Sequence, residues 1–449
     1  MGFRSGGGLR NFRQTFLAFC FCGFGYSVTA QIAVDSELKQ ENWSVHVQAT
    51  EIVQGQPGYP SPYEGPYSLP PSDHLRQTSS FDLFLAGRLW AGAEFYVDAE
   101  YYQGFGLGRT HGIAAFPNAE AYKVGQRIGD VFLPRIFLRQ TVGLGGEQED
   151  VPADLLQLAG RRDVSRLTFT IGRVSVGDQF DGNAYAHDQR SQFINWVLVD
   201  SGAFDYAADS LGYIEGATVE LNQRGWALRY GVFDVPRVSN GFAKDENFTR
   251  AWQQMIELEL RYSFRDHPGK VRLLGWVEHA HMGSYSETLA DPQLMEDITQ
   301  TRRYRFQGGA VLSAEQELTK DLGVFLRASW RDGRSEVWQF TDIDHNVSGG
   351  VQIKGSSWQR ASDTIGIAEI LSGISDSHRQ YLGAGGLGTL IGDGKLTNYG
   401  LESVLETYYD VAVIQSIHLA FDYQFVVNPG YNEDRGPIHI FAARFHFQL

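Results

Sequence analysis

The chain has 449 residues, of which 43% are hydrophobic and 13% aromatic, and its formal net charge is −15. So many apolar side chains and so few charges exclude a disordered chain. Two cysteines are too few for a disulfide scaffold, and the acidic balance offers no basic surface, so nucleic acid is not expected as a partner.

The first thirty residues have the layout of a secretory signal peptide. Three arginines precede an apolar run at residues 16–26, and Ala30 offers a small residue for cleavage. The run is too short to cross a bilayer as a helix. We therefore assign residues 1–30 to the signal peptide and residues 31–449 to the exported domain, which retains neither cysteine.

Beyond the signal peptide the hydrophobic pattern has a period of two. Phe95 and Val97 alternate with Asp98 and Glu100, so apolar and acidic side chains fall on opposite faces. This spacing predicts β-strands with one apolar and one charged face. The same alternation recurs at residues 255–264, 417–424 and 441–449.

Short and long connections alternate along the chain. Short links occur at residues 90–92, 222–225, 265–269, 319–323 and 414–416. Long links lie at roughly 55–76, 105–131, 176–212, 237–251, 284–302, 334–347, 372–399 and 428–437. This layout is typical of outer-membrane barrels, which have periplasmic turns and extracellular loops. The link at residues 143–163 is long at the end where turns are short, and we predict a short helix at residues 152–158 within it.

Alternation by itself also fits a soluble sandwich, because that fold too has one apolar and one wetted face. The signal peptide, the loop asymmetry and the lack of an apolar stretch of ~18 residues favour a membrane barrel. We predict an all-β fold, a transmembrane antiparallel up-and-down barrel of about sixteen strands. A charge facing lipid at mid-bilayer costs ~2–4 kcal/mol, so certain side chains must point into a watery lumen. They are Glu94, Asp98, Glu257, Arg261, Arg327 and Asp422.

The predicted inward face carries both signs of charge. Arginines beside carboxylates provide donors and acceptors suited to neutral polyhydroxylated solutes, although such charges can also merely solvate a pore. Inward Tyr96, Trp276 and Phe325 could stack against a sugar ring. The longest loop, about 176–212, either enters the lumen as a constriction or caps the barrel mouth.

Three apparent motifs lack the context that their chemistry needs. Residues 383–388 match GxGxxG. A dinucleotide site needs a strand before this motif, a helix after it and access to the cofactor, which an exported protein lacks. A calcium-loop start at Asp342 fails because valine occupies the obligatory glycine position. His279 and His281 share one strand face without a third placed ligand. We therefore predict no cofactor, no metal and, without a GxSxG elbow or exported thiol, no catalytic residues.

Seven segments stand out together by their order and number. They lie at 120–125 (EAYKVG), 137–147 (FLRQTVGLGGE), 163–173 (DVSRLTFTIGR), 183–196 (NAYAHDQRSQFINW), 203–210 (AFDYAADS), 384–394 (AGGLGTLIGDG) and 421–444 (FDYQFVVNPGYNEDRGPIHIFAAR). The set resembles the carbohydrate-selective porin family of Gram-negative outer membranes, and the match spans nearly the whole exported chain.

The resemblance implies a sixteen-stranded barrel that passes monosaccharides, glucose among them, by diffusion through an eyelet of arginine, acidic and aromatic residues. In such an eyelet the carboxylates would accept from sugar hydroxyls, Arg88 would donate a charge-assisted fork and Trp196 would offer a stacking face. The predicted constriction residues are Arg88, Glu94, Asp98, Glu100, Arg135, Arg139 and Trp196.

The expected location is the Gram-negative outer membrane, with small carbohydrates as solutes and with lipid and lipopolysaccharide as surroundings. A homo-oligomer is compatible with the sequence. Two other functions stay open. One is a general or differently selective porin, in which the long loop acts only as a size filter. The other is an outer-membrane barrel hydrolase, using His187 or Asp188, which no motif supports.

Overall fold

The computed structural model describes residues 40–122 and 125–449, so the predicted signal peptide lies outside the described residues. The strands in this part of the chain are β1 (Trp43–Gly55), β2 (Leu75–Trp90), β3 (Ala93–Gly104), β4 (Gln126–Gly143), β5 (Gln148–Val151), β6 (Gly160–Asp163), β7 (Arg166–Val174), β8 (Ile214–Asn222), β9 (Trp226–Phe233), β10 (Trp252–Phe264), β11 (His267–Met282), β12 (Arg303–Thr319), β13 (Leu322–Arg331), β14 (His345–Gly355), β15 (Arg360–Gly373), β16 (Glu402–Ile414), β17 (Ile417–Val427) and β18 (Ile438–Gln448).

Helices occur between the strands. They are α1 (Trp196–Val199), α2 (Tyr285–Ala290) and α3 (Asp376–Gly383), with 3-10 turns at Leu107–Arg109, Pro292–Leu294, Ile298–Thr301, Ser356–Trp358 and Pro429–Tyr431. Among the residues that the structure describes, no helix has the length and apolar character needed to cross a membrane.

All the described strands except β5 and β6 form one closed antiparallel barrel of sixteen strands. Neighbours in sequence are neighbours in the barrel, and β1 closes it by pairing with β18, so that Gln48 lies opposite Gln448 and Gly55 opposite Phe441. Closure leaves no unpaired edge. The predicted all-β, sixteen-stranded barrel is confirmed.

The two faces of each strand divide as their period-two pattern predicts. In β3, Phe95 and Tyr101 are 38% and 37% exposed on the outer surface, whereas Asp98 and Glu100 are fully buried inside. Arg327 and Asp422 are likewise inside. Aromatic side chains lie outward at both rims, including Trp43, Trp90, Trp226, Phe306 and Trp330. An apolar wall with aromatic rims is the surface that a bilayer requires.

Long loops gather at one end of the barrel, here called the loop end, and short turns at the other, the turn end. The exception at the turn end is the segment between β4 and β7, residues 144–165, here called the turn-end link. Its strands β5 and β6 pair from Gln148 with Asp163 to Val151 with Gly160.

The helix predicted at residues 152–158 is absent, and this prediction was wrong. Asp154 and Gln157 exchange backbone hydrogen bonds of 3.0 and 3.1 Å, which close a tight turn between the two strands. Strand pairing on both sides holds the ends too close for a helical turn, and Leu158, whose spacing suggested a helix, is buried in the core.

Candidate pore constriction

Residues 175–213, between β7 and β8, form a long loop that fills much of the lumen; we call it the inserted loop. Carboxylates on the barrel wall accept hydrogen bonds from its backbone. Glu257 on β10 accepts from the Asp181 amide at 2.7 Å, and Glu406 on β16 accepts from the Ile194 amide at 2.6 Å. A hydrogen bond contributes about 0.5–1.5 kcal/mol, and a buried amide left without a partner costs about 1–3 kcal/mol, so these contacts secure the loop. It lies inside the barrel and does not cap the mouth.

Aromatic packing seals the inserted loop against the wall on the side of β13 to β16. Phe193 lies edge-on to Tyr408 at 4.9 Å and to Phe325 at 5.9 Å. A Cβ atom at Gly366 would lie 2.2 Å from the Tyr408 ring and 2.8 Å from the Phe193 ring, so only glycine permits this approach. Phe325, like Trp276 beside Phe204, therefore packs the loop and does not line the cavity.

A second loop, between β3 and β4, also folds into the lumen and packs against the inserted loop. Glu402 on β16 accepts hydrogen bonds from the amides of Ala114 and Ala115 at 2.9 and 2.7 Å. Phe116 stacks on Trp196 with ring centres 5.4 Å apart and an interplanar angle of 7°. The two loops thus support each other, and part of the space that they leave open lies beside β1, β2 and β4.

That open space is a cavity of about 410 Å³ between the inserted loop and the wall. It runs from residues near the loop end, such as Leu211, to Leu155 in the turn-end link. Charged, hydrogen-bonding and aromatic side chains line it together. They include Glu120, Tyr122, Arg135, Asp178, His187, Arg190, Trp196, Tyr206 and Tyr213.

Arg190 of the inserted loop is surrounded by three carboxylates. Its guanidinium donates to Asp82 at 2.6 Å and to Glu120 at 2.9 Å, and it lies 3.4 Å from Glu100. Asp82 and Glu100 stand opposite each other on β2 and β3. Arg190 is therefore the cation that lies between the wall carboxylates and Glu120 of the loop.

Arg135 on β4 forms a second bridge between wall and loop. It donates to both oxygens of Asp178 in the inserted loop, at 2.7 and 2.8 Å, and to Asp98 at 2.9 Å. Its guanidinium also lies over the Tyr213 ring, 5.1 Å from the centroid. A planar fork fixes both distance and orientation, so this pair positions the loop across the lumen.

Glu120 and Asp200 are loop carboxylates with displaced pKa values. Burial raises the pKa of Glu120, but the Arg190 charge and hydrogen bonds from Arg190, Ser80 and Gln189 outweigh burial and hold it below the usual range. Burial raises the pKa of Asp200 to about 6, against the opposing charge of His187. Glu120 therefore stays ionised at neutral pH, whereas Asp200 changes charge between pH 5 and 7.

A sequence model of the carbohydrate-selective porin, OprB family, matches residues 67–449. The chain belongs to the OprB family. The high-pH structure of Pseudomonas putida OprB superposes with a TM-score of 0.68 at 15% identity, covering 91% of this chain and 94% of that one. The outer membrane channel DcaP of Acinetobacter baumannii gives 0.50 at 8% identity, covering 91% and 97%. No curated protein matches the chain in sequence.

This OprB-family porin is thus a channel of the Gram-negative outer membrane and not an enzyme. By the usual barrel layout, its loop end is extracellular and its turn end periplasmic. His187, a candidate catalytic residue of a hydrolase, already contacts backbone with both ring nitrogens. They lie 2.9 and 3.1 Å from the carbonyl oxygens of Val199 and Gly177.

The residues predicted for the constriction lie at two levels of the porin barrel. Arg135 and Trp196 line the cavity, and Asp98 and Glu100 are buried directly behind it in contact with Arg135 and Arg190. The other predicted residues lie toward the periplasmic end. These are Arg139, Arg88 and Glu94.

Arg139 and Arg88 both contact the turn-end link. Arg139 donates to the Leu156 carbonyl at 3.0 Å, and Arg88 donates to the Ala159 carbonyl at 3.1 Å. Arg88 also pairs with Glu94 at 3.1 Å. At this level the predicted residues hold the turn-end link in place.

Sequence reasoning missed Arg190, Glu120, Asp178 and Tyr213 as cavity residues. All four lie in loops, where no periodicity indicates which side chains face inward. The sequence pointed to two of them only through its resemblance to the porin family, because Arg190 lies in segment 183–196 and Glu120 in segment 120–125.

Proposed function

We propose that this porin lets monosaccharides and related small carbohydrates diffuse passively across the outer membrane through the cavity beside the inserted loop. The observation that carries the proposal is the composition of that one cavity, which combines Arg135 and Arg190, ionised acceptors such as Glu120, and the rings of Trp196 and Tyr213. Its volume of about 410 Å³ lies within the range of small-molecule sites, about 300–1,000 Å³.

The chemistry of the cavity suits a neutral polyol better than a free ion. Both arginines are already paired with carboxylates, so neither presents an open anion site. The paired groups still offer unshared N–H donors and oxygen lone pairs, which exchange hydrogen bonds with hydroxyls as water does. The aromatic rings supply an apolar face for the C–H side of a sugar ring.

Single-channel recording in planar bilayers tests this proposal. Glucose added at millimolar concentration is expected to reduce the ion current reversibly, because a bound sugar occupies the space through which ions pass. Trp196→Leu should weaken this block by about two- to tenfold, since it removes a stacking face worth about 0.5–1.5 kcal/mol. Trp330→Leu is the matched control, because Trp330 is 56% exposed on the outer surface.

Liposome swelling separates the proposal from a general porin. Faster uptake of glucose than of a zwitterion of equal size supports sugar selectivity. Equal rates for the two, together with a current that glucose leaves unchanged, would show that the inserted loop acts only as a size filter.

A further inference from the structure

The turn-end link enters the lumen from the periplasmic side. Its tip, residues 152–159, joins β5 to β6 and carries three exposed residues, Pro152, Ala153 and Asp154, followed by the buried Leu158 and Ala159. A connection at the turn end of a barrel is ordinarily a short turn in the periplasm. This one is long and folds back into the channel.

Several contacts hold the tip in a single position. Arg139 donates to the Leu156 carbonyl at 3.0 Å, while its guanidinium lies over the Tyr96 ring at 4.8 Å. The Ala159 amide donates to the Glu41 carboxylate at 2.8 Å. Anchored on both sides and closed by its own turn, the tip is a fixed part of the wall.

Asp154 at the end of the tip borders three cavities. The first is the constriction cavity of about 410 Å³ described above. The second, of about 530 Å³, lies between the inserted loop and the wall and is lined by basic side chains such as Arg162 and Arg166 together with carboxylates such as Glu220 and Glu259. The third, of about 570 Å³, is lined by His46, His418 and His446. A solute that leaves the constriction toward the periplasm thus meets the tip and passes on one side of it or the other.

We propose that the tip of the turn-end link is a second, periplasmic constriction, which divides the exit of the pore in two and filters solutes by size and, through Asp154, by charge. One Asp154 oxygen accepts from the Leu155 amide at 2.8 Å, and no described residue forms an ion pair with its carboxylate. The carboxylate therefore projects its charge into the exits. This filter acts on any solute, ions included, and does not depend on whether sugar is the cargo.

A pair of single substitutions on the same hairpin tests the charge. Asp154→Asn is expected to lower the cation preference, measured as the reversal potential across a KCl gradient at about 0.1 M salt, where the Debye length is ~10 Å. Asp154→Arg should shift it further in the same direction. Asp150→Asn removes an equal charge at a side chain that is 58% exposed and paired with Arg161, outside the three cavities, and should leave the potential unchanged.

A shortened link tests the obstruction. Replacing residues 152–159 with Asn-Gly joins β5 to β6 by a two-residue hairpin turn and leaves every barrel strand intact. Merging the two exits is expected to raise the conductance in 1 M KCl by about twofold and to admit disaccharides in liposome swelling.

Unchanged conductance in the shortened protein, or equal reversal potentials for the Asp154→Asn and Asp150→Asn proteins, would overturn the proposal. If the shortened protein does not fold, the Asp154 series decides alone. If glucose does not block the wild-type current but the Asp154 and shortened proteins show the expected ion effects, the proposal of sugar transport is refuted and the second constriction is supported.

Discussion

Replacing Arg190 with glutamine tests whether its ion pairs hold the inserted loop in the lumen. The substitution keeps a polar side chain but removes the charge that faces Asp82, Glu100 and Glu120. One such pair at 4 Å is worth about 4 kcal/mol at an effective dielectric constant of 20. The cost of burial offsets much of that attraction, and removal of one partner from a buried pair typically costs about 3–5 kcal/mol.

The barrel is closed by pairing among its own strands and not by the loop, so the assay must be local to the loop. Hydrogen exchange of the inserted loop reports its opening free energy directly. A loss of about 3–5 kcal/mol corresponds to exchange that is roughly 10²–10⁴-fold faster at the amides of Asp181 and Ile194. Arg224→Gln is the control, because Arg224 is 81% exposed in its pair with Glu147 and such pairs contribute about 0–1 kcal/mol.

The pH dependence has a definite sign. Because Arg190 outweighs burial and lowers the pKa of Glu120 in the folded protein, the stability it contributes is present above the unfolded pKa of about 4.3 and is lost as the pH falls through the lower folded value. The difference between the wild-type and Arg190→Gln proteins should therefore shrink below about pH 4.3. Equal exchange in both proteins at pH 7, or a difference that grows on acidification, would refute the reasoning.

Three further predictions concern the wall, the lumen charge and the loop anchors. Phe421→Arg places a charge on the outer face of β17, where the side chain is 64% exposed, and should cost ~2–4 kcal/mol of folding free energy in lipid vesicles, whereas Phe421→Leu should fold normally. The cation preference of the wild-type pore should rise between pH 5 and 7 as Asp200, with its pKa of about 6, ionises; a rise of the same size in Asp200→Asn would contradict this assignment. Glu257→Gln, which weakens the bond from the Asp181 amide, should speed exchange there by about tenfold or more, and an unaltered rate would argue that Glu257 does not anchor the loop.

The barrel could be predicted from the sequence because its evidence is local. Alternation along single segments such as 95–101 shows which side chains face lipid, since adjacent residues of a strand always point to opposite faces. The lengths of the connections then distinguish the two ends of the barrel. Neither the alternation nor the connection lengths depend on which strands pair. The structure agrees with the predictions made from each.

The turn-end link shows where local evidence fails. Leu155, Leu156 and Leu158 have a spacing that also suits one helical turn, and the sequence alone does not show that β5 and β6 pair on either side. Pairing between residues nine to fifteen positions apart outweighs the weak local preference, so the segment forms a hairpin tip.

The sequence by itself determined three things: the barrel fold, the face of each strand that points into the lumen, and the family that the chain resembles. Only the tertiary structure decided that the inserted loop lies in the lumen, that Arg190 meets Asp82 and Glu100 there, and that Arg88 and Glu94 lie nearer the periplasm. The physical reason is that strand phase determines whether a side chain points in or out, whereas its height in the pore depends on the stagger of all sixteen strands. The path of an irregular loop depends on carboxylates and rings contributed by strands far away in the chain.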